Sequence, residues 1–516
     1  MIDNELCLSI DLGTGGPKIG IATLDGELIA HEIHRVTTTF GDDGSATQDA
    51  NEWWDLIVDS ASRLLADPRV DPSRVRAVAV TGQYASTVPV DEKGVPTGPC
   101  LTWLDTRGGR FTRRAIGGPV QGYQARAIAR FIRKTGGAPS LSGADPIGHM
   151  LYLTNEQPEL CSRTRWFMEP VDYLTMRLCG VASATHASRL AMWLTDNRHL
   201  DELEYDAGLL NLVGLGAERL PPLVRTGSNL GPVTSDLAAR LGLGENVSVF
   251  TALPDLHAAA YGAGATTMNA VHIALSTTSW ISCPVTKKKT DILHSIASVP
   301  GLTHGAYQII DNQETGAKAL EWFQGILAAQ GQAMTLDEMT ALAKTSPPGA
   351  RGVIFTPWLA GERSPVDDKN ARAGFTNLSM TSNTADLIRA VMEGVAANSA
   401  WLFRHVERFA ATELKPVRLV GGGAQSELWC QIFADTLGRE VHQVRDPMLA
   451  QLRGMALAAS VSLGQRTFDD LSKIPIPVQV FQPDPTNAVV YHNKSGELEG
   501  LFTLNKKWRR RASRSR

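Results

Sequence analysis

The sequence predicts a duplicated α/β fold, and three observations predict it. An apolar strand, Leu6 to Ile10, runs into Asp11, a Gly/Thr turn and a second strand, Ile19 to Leu24. The same strand–turn–strand order returns at Val271 to Leu275, Ser276-Thr277-Thr278-Ser279 and Trp280 to Val285. At 516 residues the chain is too long for one core, and Gly-rich turns between apolar runs favour alternating strands and helices over a helical bundle.

The opening stretch carries the first chemistry. Gly13, Gly15 and Gly16 let the backbone come close to an oxyanion, so that amide N–H groups face it. Thr14 adds a hydroxyl, Lys18 a point charge, and Asp11 is a carboxylate of the kind that holds a hydrated Mg²⁺. The Walker spacing is absent, and a strand follows the turn where a helix would be. An ordinary hairpin with a polar turn is the competing reading. Asp25-Gly26 signals a tight turn into a third strand, Glu27 to His31.

Asn51 is expected to open a helix with Trp53, Trp54, Ile57 and Leu64 at helical spacing. Val75 to Val80 reads as a buried strand. It delivers Gln83, Tyr84, Ala85 and Ser86 to its carboxyl end, where open α/β sheets hold ligands. Trp103, Asp105 and Arg107 combine an aromatic face, a carboxylate and a guanidinium, groups that can read a polyol. Packing of Trp103 beside a surface ion pair fits the same spacing. Residues 108–250 are expected to be mainly helical, over Gln124 to Lys134, Gly148 to Asn155, Pro170 to Leu178 and Ser188 to Leu194, with a strand at Val247 to Phe250. His186 and His199 have no partner at ligand spacing and read as non-metal residues.

Leu253-Pro254-Asp255 leads into a small-residue helix, Leu256 to Gly262. Asp255 either caps that helix or takes a proton from a substrate hydroxyl, and the residues alone favour the cap. Gly352 to Trp358 reads as a strand before the polar turn Gly361 to Pro365. Asn383-Thr384 caps a long helix, in which Gly394 implies close packing. Val417 to Val420 precedes Gly421-Gly422-Gly423-Ala424-Gln425-Ser426 and a helix from Glu427 to Leu437, a turn suited to a nucleotide but weak by itself. Ser426 stands where a Rossmann fingerprint needs its third glycine. A strand, Glu440 to Val444, and a helix, Leu449 to Leu463, complete the second half. The expected domains are 1–250 and 251–480, followed by a segment over 481–516.

Bulk composition, 43% hydrophobic and 20% charged, is that of a globular protein. No apolar run reaches the ~18 residues a membrane span needs. The acidic N-terminus enters a strand at once, so no signal peptide is expected. Six scattered cysteines without a Cys-x-x-Cys read as reduced thiols of a cytoplasmic protein, not as a disulfide framework or zinc site. The net charge of −3 would be −10 without the seven basic residues of the tail Lys506 to Arg516. That tail is expected to be disordered and solvated; nucleic acid is the less favoured partner.

Taken in order, these segments resemble the FGGY carbohydrate kinase family over about residues 6 to 465. Asp11-Leu12-Gly13-Thr14 with Lys18 is similar to its first phosphate motif, and Thr81-Gly82-Gln83 and Trp103 to Arg107 to its sugar segments. Val171 to Leu178, Gly361 to Pro365 and Gly421 to Trp429 are similar to its later signatures. The resemblance implies an actin/hexokinase-like (ribonuclease H-like) ATPase fold, two domains with a cleft between them, and ATP and Mg²⁺ as cofactors. It implies transfer of the γ-phosphate to a small sugar, xylulose or another ketopentose, with ribulose, erythritol or gluconate as alternatives. It turns Asp255 into the expected general base and Asp11 into the metal ligand. Gln83, Tyr84, Trp103, Asp105 and Asp255 become sugar contacts. Gly13, Thr14, Lys18, Thr277, Thr278, Gly316, Gly422, Gly423 and Ser426 become ATP contacts. The partners so implied are a small sugar and ATP, with a homodimer left open and no membrane. Two departures stand out. Ser276 and Ser279 replace glycines of the second phosphate turn, and Gln83-Tyr84-Ala85-Ser86 lacks the histidine of xylulose-specific members. A regulator that binds sugar and nucleotide without turnover is the rival reading, against which Asp11, Lys18 and Asp255 argue.

Overall fold

The computed structural model describes residues 5–506, so the basic tail from Lys507 onward, with the disorder expected of it, lies outside the described residues. In the first half, β1 (Leu6–Gly13) and β2 (Gly16–Thr23) form an antiparallel hairpin that sets Asp11 directly opposite Lys18. β3 (Leu28–Ile33) adds outside β2, slightly later than the expected Glu27 to His31. On the other side, β4 (Val75–Gly82) runs parallel to β1, and β5 (Ser248–Phe250) parallel to β4. β6 (Leu253–Pro254) also pairs with β4, so the first sheet still claims residues just past position 250. Between β3 and β4, α1 (Ala50–Leu65) covers the sheet with Trp53, Ile57, Ala61 and Leu64. Its cap is Asp49, which accepts the N–H of Asn51; Asn51 itself lies inside the first turn.

The second half repeats the plan. α2 (Asp255–Gly262) links to it. β7 (His272–Leu275) and β8 (Ser279–Val285) form the hairpin, β9 (Tyr307–Gln313) adds outside β8, and β10 (Val417–Val420) and β11 (Val441–Val444) run parallel on the other side. Each half is thus three antiparallel strands joined to parallel ones, the expected duplicated α/β fold. α3 (Thr384–Ala410), capped by Asn383, is buried along most of its length behind the second sheet.

α5 (Ala450–Ser462), which follows α4 (Glu427–Leu437), lies against α2 and the first sheet. The approach is so close that a Cβ on Gly262 would sit 1.7 Å from the Ala450 carbonyl oxygen, and one on Gly454 1.9 Å from that of Ala258. Only glycines permit this close contact between α2 and α5.

One expectation fails. Ser188 to Leu194 is a run of turns, not a helix. Ser188 Oγ donates to Asp172 Oδ2 at 3.1 Å, Arg189 is a buried partner of the same carboxylate, and Trp193 takes a φ of +60°, so tertiary contacts override local helix spacing. The segment after 480 contains a helix, α6 (Pro485–Leu504), which packs on α3 and α4.

Candidate active site

Strand register assembles the site. In the first sheet Asp11 of β1 is level with Thr81 of β4, and Thr81 with Leu253 of β6. The three strands therefore deliver Asp11, Gln83 and Asp255 to the same carboxyl edge. Lys18 Nζ donates to Asp11 Oδ2 at 2.8 Å, and Asp11 is only 2% exposed. Burial alone would depress the Lys18 ammonium, but Asp11, helped by Asp255, lifts it above its ordinary value.

Asp255 begins α2, whose cap position is Pro254. Its Oδ1 accepts the Leu256 N–H at 2.7 Å. Burial, and next the charge of Asp11, push its carboxyl up to about 7; the Leu256 N–H and Lys18 act in the opposite sense. A carboxyl so placed is half ionised near neutrality, as suits a group that accepts a proton in a reaction.

Thr14 connects this edge to Gln83 and to Trp103. Its hydroxyl donates to Gln83 Oε1 at 3.1 Å and accepts the Trp103 indole N–H at 3.0 Å. Gln48, which carried no sequence signal, ties the set together. Its side-chain amide donates to the Thr14 carbonyl at 2.8 Å, and its oxygen accepts from Gln83 at 3.2 Å. Trp103 stays 37% exposed. Asp105 is fully buried and both of its oxygens are engaged, by the Ala46 N–H and by Arg107. Its role here is to fix the Trp103–Arg107 turn.

Ala85, at φ +60°, turns the chain sharply after Tyr84. Beneath that turn Glu169 is fully buried and accepts the Ser86 N–H at 3.1 Å, while Ser86 Oγ accepts the Trp103 N–H at 3.0 Å. Burial holds the Glu169 carboxyl up at about 8, so it sits neutral under the loop.

The second turn is built from three segments. Gly316 N–H donates to the Thr277 carbonyl at 2.9 Å, and Ala317 N–H to that of Ser276 at 2.6 Å. A Cβ on Gly316 would lie 2.3 Å from the Thr278 oxygen, so glycine is required there. Gly421 and Gly423 press on Leu275 from the other side, whereas Gly422 faces open space. Ser279 turns its hydroxyl into the core, 3.1 Å from that of Ser399, and so leaves the turn free. Ser426 caps α4 by accepting the Trp429 N–H at 3.3 Å. Trp280, unremarked in the sequence, donates its indole N–H to Thr278 Oγ1 at 2.6 Å.

Asp11 offers hard carboxylate oxygens, and among the described residues no cluster of three or more His, Cys, Asp or Glu could hold a metal. One or two carboxylates with room left for water and phosphate oxygens is the donor set Mg²⁺ prefers, so the residues fit that ion. Among the same residues no helix is long and apolar enough to cross a membrane.

Residues 6–262 match the N-terminal domain of the FGGY family of carbohydrate kinases, and residues 278–463 its C-terminal domain. A xylulose kinase of Staphylococcus epidermidis is 27% identical over 504 residues, 97% of each chain. A gluconokinase of Bacillus subtilis is 24% identical over 441 residues, covering 84% of this chain and 83% of its own. The crystal structure of xylulose kinase from Rhodospirillum rubrum superposes with a TM-score of 0.83 at 22% identity, over 98% of this chain and all of the other. With two matched domains, a duplicated fold and paired phosphate-type turns, the chain belongs to the FGGY family of carbohydrate kinases, phosphotransferases that act on an alcohol group.

Proposed function

We propose that this protein transfers the γ-phosphate of ATP to a hydroxyl of a small ketopentose such as xylulose. The observation that carries this reading is the meeting of Asp255 with Asp11 and Lys18 at one strand edge, in a chain whose full-length relatives include xylulose kinases. In this reading Asp255 orients the attacking hydroxyl and accepts its proton on a carboxylate oxygen. Lys18 and the Gly13–Gly16 turn hold phosphate oxygens from the first half; the Thr277–Thr278 turn holds them from the second. Asp11 would hold Mg²⁺, which when bound neutralises charge on the phosphates. Gln83, Tyr84 and the Trp103 face seat the sugar, and the cleft walls exclude water. Phosphoryl transfer depends mostly on positioning and charge neutralisation, and these residues supply both.

A sugar acid is the second reading. It is favoured by the gluconokinase relatives. One experiment tests both: ADP release with ATP and Mg²⁺ across pentuloses, hexuloses, polyols and aldonic acids, with Asp255→Asn as control. Turnover of xylulose, lost in the variant, supports the first reading; preference for an aldonic acid supports the second. Binding of ATP and sugar with no turnover of any member of the panel would overturn both.

A further inference from the structure

The two phosphate-type turns come from opposite halves, and a continuous line of contacts joins them through the sugar loop. Thr14, in the first turn, bonds Gln83. Next to Gln83, Tyr84 meets Trp280 of the other half edge-on, with ring centroids 6.3 Å apart and planes at 67°. Trp280 then donates its indole N–H to Thr278 Oγ1 at 2.6 Å, in the second turn. The aromatic pair belongs to a small apolar cluster with Leu256, the residue after Asp255, and with Leu190 and Ile310. The turn at Ala85, at φ +60°, follows directly on Tyr84.

We propose that Trp280 is a positioning residue that couples the sugar loop to the second phosphate turn. A sugar seated on the Gln83–Tyr84 loop presses Tyr84 on the indole, and the indole N–H holds the Thr278 hydroxyl where it meets the nucleotide phosphates. The inference rests on the kinase reading above. It adds that sugar and nucleotide strengthen one another's binding by the same factor, as linkage between two sites requires.

Trp280→Phe separates the two functions of the indole, because phenylalanine keeps the aromatic edge against Tyr84 and lacks the N–H. The measurement is affinity for a non-hydrolysable ATP analogue with Mg²⁺, with and without the sugar that the wild type turns over fastest. In the wild type the sugar should tighten nucleotide binding by about 10-fold, a usual size for such coupling. In Trp280→Phe the effect should fall below about 2-fold while the affinity for the sugar without nucleotide stays within about 2-fold. Thr278→Val, which removes the acceptor and keeps the volume, should lose the coupling in the same way and stands in if Trp280→Phe does not fold. Coupling of wild-type size in a folded Trp280→Phe or Thr278→Val would overturn the proposal. A wild type that phosphorylates no sugar would instead overturn the kinase reading, and the proposal with it.

Discussion

Asp11 and Lys18 stand directly opposite one another across the first hairpin, carboxylate and ammonium 2.8 Å apart at the carboxyl edge of the sheet. Antiparallel pairing places both on one face, so the pair is a product of register and needs no loop to form. Lys18 also lowers the proton affinity of Asp255. Lys18→Met should therefore do two things at once. Turnover at neutral pH should fall by about 10²-fold, the usual cost of removing one charge-stabilising group from a site. The acid limb of the pH–rate profile should move to higher pH, because a carboxyl that loses a nearby cation ionises less readily. A rate loss without that shift would place Lys18 on the phosphates alone.

On the proposed reading, Asp255 sets the pH dependence. Its carboxyl titrates at about 7, so kcat/KM should climb as pH rises through that value, as the base form appears. Asp255→Asn should lose about 10²–10⁴-fold in kcat and flatten the climb. Stability should move the other way. A carboxyl whose folded pKa lies above its unfolded one binds more protons when folded, so ionising it costs stability progressively from about pH 4 up to about pH 7. Asp255→Asn should consequently melt higher than wild type at pH 8, and the two melting curves should converge below pH 4.

Gln48 offers a test of the sugar side. Its amide serves the Thr14 carbonyl and Gln83 together, and it is 3% exposed. Gln48→Leu removes the partner of the Thr14 carbonyl, the Gln83 amide and the Thr38 hydroxyl, at a cost of about 1–3 kcal/mol for a buried group left unpaired. The sugar KM should rise about 5- to 100-fold, and nucleotide affinity should fall with it because Thr14 belongs to the first phosphate-type turn. Steady-state kinetics with each substrate varied in turn checks it.

Local pattern made much of this legible. The two hairpins, the parallel strands beside them and the Asn383 cap each follow from periodicity, turn residues and caps within a short window. Asp255 was legible as an acid entering a helix, but its surroundings were not, because Asp11 and Lys18 are brought to it through β4, which pairs with both β1 and β6. Gln48 and Trp280 gave no signal, since a lone glutamine in a polar loop and a tryptophan in a strand have ordinary structural roles. Asp105 fits a ligand and a scaffold by residue type alike, and its bonds to Arg107 and the Ala46 N–H could not be read from the sequence. The Ser188–Leu194 misreading has the same root: helical spacing is a weak preference beside a buried Asp172–Arg189 pair.

Gly394 sits in the middle of α3 where it faces the Phe355 backbone, and a Cβ there would lie 2.2 Å from the Phe355 carbonyl oxygen. The neighbour is backbone in a strand and cannot swing aside. Gly394→Ala should therefore destabilise the protein, although alanine is the better helix former by about 1 kcal/mol. The melting temperature should fall by several degrees with the sugar KM unchanged. A rise would mean that α3 shifts freely against the strand.

The helix α6 is held by a buried charge. Glu393 of α3 is fully buried, in contact with Lys494 of α6, with Arg389 Nε at 2.8 Å and the Tyr491 hydroxyl at 3.0 Å. Two cations and one carboxylate share the site, so the two single removals are not equivalent. Glu393→Ala leaves Arg389 and Lys494 buried without their carboxylate, a situation that costs about 3–5 kcal/mol. Lys494→Met leaves Glu393 its Arg389 partner and keeps most of the apolar stem, so it should cost much less. Burial already lowers the Lys494 ammonium below its ordinary value, which reduces further what its removal forfeits. Melting curves of the two variants should rank Glu393→Ala well below Lys494→Met. Equal losses would mean that Arg389 does not compensate Glu393, and that Lys494 alone fastens α6 to the second half.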